Sequence, residues 1–147
     1  MINKKVAIYT DGACSHNPGP GGWAAILTYK ETEKIIKGKE EYTTNNRMEM
    51  TAVIEGLRLL KEKCDVLVVT DSKYIVDSIG KGWVYSWKNR NWRKSNNEKV
   101  LNVDLWIIML DLLNKHNVDF KWIKGHSSNE YNERCDEIAV AMSKSFV

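Results

Sequence analysis

Four acidic residues stand where an acid has no ordinary reason to be. Asp11 and Asp71 close two apolar runs in the same way: AIYTDG over 7–12 and LVVTDS over 67–72 both pass from apolar residues to Thr-Asp and then to a small residue. Glu49 shares a helical stripe with Ala52, Val53, Gly56 and Leu60, and Asp136 has Ala139 and Val140 at i+3 and i+4. Both carboxylates therefore face inward, where burial without a partner costs several kcal/mol. Asp-Gly is also a common turn dipeptide, and an acid in a helix's first turns is usually a solvated, dipole-favoured group. The repetition of the Thr-Asp ending argues against those readings. Four carboxylates brought together repel by several kcal/mol unless a cation neutralises them. An all-oxygen set without clustered Cys or His favours Mg²⁺, with Mn²⁺ as a substitute. Two such ions about 4 Å apart can activate water and stabilise the leaving oxygen in phosphodiester cleavage.

The elements that must position these groups can be read from the pattern. Residues 5–10, KVAIYT, lack polar alternation and are expected to form a central strand covered on both faces. The strand over 65–72 repeats that pattern after an intervening helix, so the two should lie parallel and adjacent, with Asp11 and Asp71 leaving at the same edge. GWAAILTYK and TEKIIKGKEEYTT form a hairpin joined at Lys30 and Glu31, the second strand carrying the outward Lys and Glu of an edge. The helix over 45–62 is expected to open on Asn45 or Asn46 as its cap. SKYIVDSIGK reads as a short helix, 100–116 as an apolar helix with Leu105, Ile108, Met109 and Leu112 inward, and VDFKWIKG as a fifth strand. A last helix follows, with Ile138, Ala139 and Met142 on its inner side, and His126 sits in a polar loop before it.

Composition bounds the rest. The chain has 147 residues, 43% of them hydrophobic and 28% charged, which is ordinary for one globular domain and excludes disorder and fibres. No apolar run approaches a membrane span, and MINKKVAIYT does not read as a signal peptide, so a cytoplasmic protein without membrane contact is expected. Cys14, Cys64 and Cys135 are odd in number and lack CxxC spacing, so reduced thiols are expected. Gly19, Gly21 and Gly22 fit neither the P-loop nor the dinucleotide spacing, which argues against a nucleotide cofactor. The net charge of +3 is unevenly spread: residues 81–99 hold six Lys or Arg against Glu98, a net +5, leaving −2 for the remainder. Trp83, Trp87 and Trp92 are interleaved with Lys88, Arg90, Arg93 and Lys94 there. Tryptophans at helical spacing are more often core, but the charge makes a nucleic-acid face the better reading.

The stretches TDGACSHNPGPGGWA, TTNNRMEM, TDSKY and KGHSSNEYNERCDE together resemble bacterial type 1 ribonuclease H over nearly the whole chain. That resemblance implies a single α/β domain over 1–147, built on a five-stranded mixed sheet of order 3-2-1-4-5 flanked by helices. It implies a monomeric endonuclease that cuts the RNA strand of RNA–DNA hybrids and leaves 5′-phosphate and 3′-hydroxyl ends. Asp11, Glu49, Asp71 and Asp136 fall on the family's metal-binding carboxylates, and His126 on its loop histidine, which assists proton transfer or product release. Hybrid contacts are implied for Cys14, Asn17, Thr44, Asn45, Asn46 and Lys73. The segment 81–99 matches the family's basic protrusion, with Trp83, Trp87, Lys88, Arg90, Trp92, Arg93 and Lys94 as its binding residues. Position 73 is often glutamine in the family, so a phosphate contact from Lys73 replaces a sugar hydrogen bond. Two rival readings are another nuclease or strand-transfer enzyme of the same fold, which should lack the protrusion and the NPGPGG turn, and a catalytically weak hybrid-binding module, which should have lost a carboxylate.

Overall fold

The computed structural model describes residues 3–125 and 129–146. The first strand, β1 (Lys4–Cys14), pairs antiparallel with β2 (Gly19–Tyr29), and β2 pairs with β3 (Thr32–Thr43), the turn falling at Lys30 and Glu31 as the sequence predicts. The helix α1 (Asn45–Arg58) then crosses to β4 (Cys64–Thr70), which lies parallel to β1. Three helices follow, α2 (Lys73–Gly80), α3 (Trp83–Asn89) and α4 (Val103–Lys115), before β5 (Asn117–Trp122) adds parallel to β4 and α5 (Glu130–Ser143) closes the fold. The sheet order is β3-β2-β1-β4-β5, the expected mixed sheet. No helix of the described residues is long and apolar enough to cross a membrane.

β1 is central, but its two faces are not equally covered. Val6, Ile8 and Thr10 are buried on the face that α1 covers, whereas Ala7 and Tyr9, on the other face, are only half-buried. The main core lies on the first side and joins Ile8, Val53, Leu57, Val68, Trp106 and Met109. A smaller cluster of Ala24, Ile26 and Cys135, flanked by Tyr9, Tyr131 and Ile138, holds α5 on the second side. Tyr9 and Tyr131 stack there with ring centroids 4.5 Å apart. Because α5 packs on β1, β2 and β3, the far half of that face is left open, and Leu67 on β4 is 39% exposed.

Several boundaries differ from the sequence reading for identifiable reasons. The cap of α1 is Thr44, not Asn45 or Asn46: its backbone is extended and its Oγ1 accepts from the Arg47 N–H at 3.2 Å, an arrangement worth about 1 kcal/mol. The helix stops at Arg58 rather than 62, since the Leu59 and Leu60 N–H groups tighten onto the carbonyls of Gly56 and Leu57. At the start of α4, Asn102 adopts a left-handed φ of 63°, so helix begins at Val103. Trp106 and Leu110 join Met109 and Leu112 as its buried residues, while Leu105 and Ile108 pack at the core's edge. β5 ends at Trp122 instead of 125, and the Ile123 N–H turns back to the Thr70 carbonyl at 3.0 Å.

Candidate metal centre

Register alone puts the first two carboxylates side by side. The parallel ladder between β1 and β4 runs from Lys4–Cys64 to Tyr9–Val69 and ends there. Two residues further on, Asp11 and Asp71 emerge at the same level, where β1 stays with β2 and β4 stays with β5. Such a fork at the carboxyl end of parallel strands is where open α/β sheets hold ligands.

Two glycines let helices close on that fork from opposite faces. A Cβ on Gly12 would lie 2.5 Å from the Glu49 backbone N, so only glycine lets α1 approach and deliver Glu49. A Cβ on Gly22 would lie 2.4 Å from the Ala139 carbonyl, and its absence admits α5, which carries Asp136. Oxygens of Asp11, Glu49 and Asp71 lie within 4.8 Å of one another. Asp136 is within hydrogen-bonding reach of Asp11 and lines, with Asp11 and Asp71, a small cavity of about 30 Å³. The four predicted carboxylates thus converge.

Asp11 and Glu49 are 6% and 8% exposed, and the Gly12 N–H donates to Asp11 Oδ1 at 2.9 Å and to Glu49 Oε1 at 3.1 Å. Burial pushes the Asp11 pKa up from 3.8 to about 7, with the Asp71 charge and Asp136 adding to the rise and the bonds from Glu49 and Gly12 opposing it. Glu49 is raised well above the usual carboxylate range, first by burial and then by the charge of Asp11. Its second oxygen, Oε2, is buried with no partner among the described residues. An orphaned carboxylate oxygen among three other acids is what a divalent cation would satisfy, and hard oxygen donors suit Mg²⁺ or Mn²⁺. The residues present fit the ion.

The expected substrate residues fall into two places. Cys14, Asn45, Asn46 and Lys73 line an open groove of about 380 Å³ together with Asp11, Glu49, Asp71 and Asp136. Asn17 braces it, its Oδ1 accepting from the Asn45 N–H at 3.2 Å, and the Cys14 thiol donates to the His16 carbonyl at 2.7 Å. Thr44 spends its hydroxyl on the helix cap. The basic segment splits its tryptophans: Trp83 is 43% exposed, whereas Trp87 and Trp92 turn inward and pack on the main core, Trp87 edge-on to Trp106 at 6.4 Å. Lys88 and Arg90 are exposed, and Arg93 and Lys94 are half-buried. Residue His126 lies outside the described residues, but Gly125 before it sits against Asp71, where an added Cβ would be 2.9 Å from Oδ2.

Sequence reasoning missed three neighbours. Asn132 and Glu133 line the small cavity, and their i−4 and i−3 spacing from Asp136 was the signal available. The Asn132 Nδ2 group donates to the Val69 carbonyl at 3.2 Å, at the end of the parallel ladder, while its Oδ1 is buried without a partner among the described residues. The Trp122 indole N–H donates to the Asp71 carbonyl at 3.0 Å, a cross-strand contact that no local spacing announces.

Comparison with known proteins agrees with this geometry. The RNase H family model matches residues 3–144. A Ribonuclease H of Caldicellulosiruptor saccharolyticus is 57% identical over 141 residues, spanning 96% of this chain and 97% of that protein. A Ribonuclease H of Rickettsia felis is 52% identical over 139 residues, 95% of this chain and 91% of its own. Among solved structures, LC9-RNase H1, a type 1 RNase H with the type 2 active-site motif, superposes with a TM-score of 0.86 at 30% identity, covering 97% of this chain and 74% of that one. With a full-length family match, close bacterial relatives and four acids at the sheet's fork, the chain belongs to the ribonuclease H family.

Proposed function

We propose that this ribonuclease H, an endonuclease for the RNA strand of RNA–DNA hybrids, works with two Mg²⁺ ions, Mn²⁺ being a substitute, and leaves 5′-phosphate and 3′-hydroxyl ends. The observation that carries the metal reading is the orphaned Glu49 Oε2 within a triad whose oxygens lie within 4.8 Å. When bound, the ions supply charge neutralisation, activation of water and stabilisation of the leaving oxygen. Asp11, Glu49, Asp71 and Asp136 would hold them. The Gly12 N–H holds one oxygen each of Asp11 and Glu49, which leaves Glu49 Oε2 for an ion. His126 is assigned the proton transfer that accompanies cleavage or product release.

The groove flanking the acids seats the hybrid. Asn17, Asn45 and Asn46 present amides that suit 2′-hydroxyls in a wide minor groove, which is how a protein tells RNA from DNA. Cys14 and Thr44 border the same path, and the basic segment with Trp83 takes the backbone further along. One complex on this fold, LC11-RNase H1 with RNA/DNA hybrid, superposes with a TM-score of 0.71 at 22% identity over 92% of this chain and 94% of that one. We read residues 1–147 as one cytoplasmic, monomeric catalytic domain. The test is a hybrid labelled on either strand: cleavage confined to the RNA strand and dependent on Mg²⁺ or Mn²⁺ is expected, and cutting of the DNA strand or activity in EDTA would overturn the reading.

A further inference from the structure

Lys73 stands in the first turn of α2, directly after its cap Ser72 and two residues beyond Asp71. A cation is electrostatically misplaced there, because the N-terminal end of a helix already carries partial positive charge. A lysine also has a long flexible stem whose ordering opposes any contact it makes. Here the stem is held. Lys73 Nζ lies 5.5 Å from the centroid of the Trp122 ring, within range of a cation–π contact, and the ring is fixed in turn by its N–H bond to the Asp71 carbonyl at 3.0 Å. Trp122 is 42% exposed and belongs to neither apolar cluster among the described residues. Lys73 lines the groove that holds Asp11, Glu49 and Asp71.

We propose that Trp122 is a positioning residue that holds the Lys73 ammonium beside the acidic fork, where it takes one backbone phosphate of the bound hybrid. The inference rests on the ribonuclease H reading. A preorganised cation meets the phosphate with less ordering cost than a free one, so the pair acts on substrate affinity and leaves the chemical step to the acids.

The experiment uses the full chain with Mg²⁺ and a labelled hybrid, and compares Lys73→Gln, Trp122→Leu, Trp122→Phe and the Lys73→Gln/Trp122→Leu double variant over a salt series. Wild-type cleavage of the RNA strand is measured first, so failure of the underlying reading is seen independently of Trp122. Removing one phosphate contact flattens the slope of log KM against log salt by up to about 0.9, which is about threefold in KM between 50 and 200 mM salt. Lys73→Gln and Trp122→Leu should show that same change in KM, with kcat little affected, and the double variant should be no worse than either. Trp122→Phe keeps an aromatic face but loses the N–H that fixes the ring, so its slope should fall between those of wild type and Trp122→Leu. If Trp122→Leu acts on kcat, or has the same effect whether or not Lys73 has been replaced, or if Trp122→Phe behaves like Trp122→Leu, the proposal is wrong and Trp122 serves only the Asp71 backbone.

Discussion

Asp11 combines two demands that oppose each other in the metal-free protein: it must be buried to be placed, and charged to bind a cation. Losing that ligand disturbs both charge and metal geometry, so Asp11→Asn and Asp71→Asn should each lower the cleavage rate at least about a thousandfold. Residual activity above a tenth of wild type in either would remove them from the metal centre. The same burial makes a stability prediction. The folded-state pKa of Asp11, about 7, lies above its ordinary 3.8, so the proton it binds stabilises the fold. That contribution is fully present below about pH 4 and is lost as pH rises through about 7. Metal-free wild type should therefore lose stability across this window, and Asp11→Asn, which removes one of the two buried carboxyls whose pKa is raised, should lose less. Near pH 7 in EDTA the variant should be the more stable by about 1 to 3 kcal/mol in urea melts. Mg²⁺ should narrow the gap, since only wild type keeps the full ligand set. A variant less stable than wild type in EDTA would mean that Asp11 is not held at a cost.

At the scale of elements, the site depends on how closely helices approach strands. Gly12→Ala would drive a methyl into the Glu49 backbone at 2.5 Å, so α1 must shift. Overpacking of this kind costs about 1 to 3 kcal/mol, and we expect that loss in a urea melt together with a marked fall in kcat, because Glu49 moves with its helix. Unchanged activity would show that the α1–β1 spacing does not set the centre. Much of this arrangement was legible in the sequence. The two Thr-Asp endings fixed Asp11 and Asp71 because a parallel register with a period of two leaves no freedom to separate them. The stripe under Glu49 and the i+3 and i+4 neighbours of Asp136 worked for the corresponding helical reason. What failed was of two kinds. Thr44 rather than Asn45 as cap is a choice among adjacent residues that can each cap a helix, whereas the left-handed Asn102 that delays α4 and the inward turn of Trp87 and Trp92 toward the core around Trp106 involve partners distant in sequence. Such partners tie the start of α4 to α1 and α2, Arg47 donating to Asp104 at 3.0 and 2.7 Å and to Asn102 at 3.4 Å, while Asn102 and the Trp106 indole both donate to the Tyr74 hydroxyl, and the basic segment joins them where Trp87 meets Trp106.

Across the whole molecule, charge and packing are both lopsided. A segment of +5 on a body of −2 orients a polyanion before contact, keeping its phosphates away from the acids until the groove is engaged. Replacing Lys88, Arg90, Arg93 and Lys94 with alanine should flatten the slope of log K against log salt by up to about 0.9 for each phosphate contact removed, measured by hybrid binding in Ca²⁺. An unchanged slope would show that the segment does not touch the backbone. The packing asymmetry reaches further. The helix that carries Asp136 rests on a small cluster of Ala24, Ile26 and Cys135, separate from the main core that holds α1 and the strands beneath both aspartates. Resting on an apolar cluster of its own, α5 is expected to open as a unit while the main core stays folded. Native-state hydrogen exchange should find its amides protected by less than the global unfolding free energy, and those of α1, β1 and β4 by nearly all of it. Equal protection would rule out such a subdomain. A bound cation bridging Asp136 to the other three acids would then act as a clasp between two cooperative units, so Mg²⁺ should slow exchange in α5 more than anywhere else in the chain.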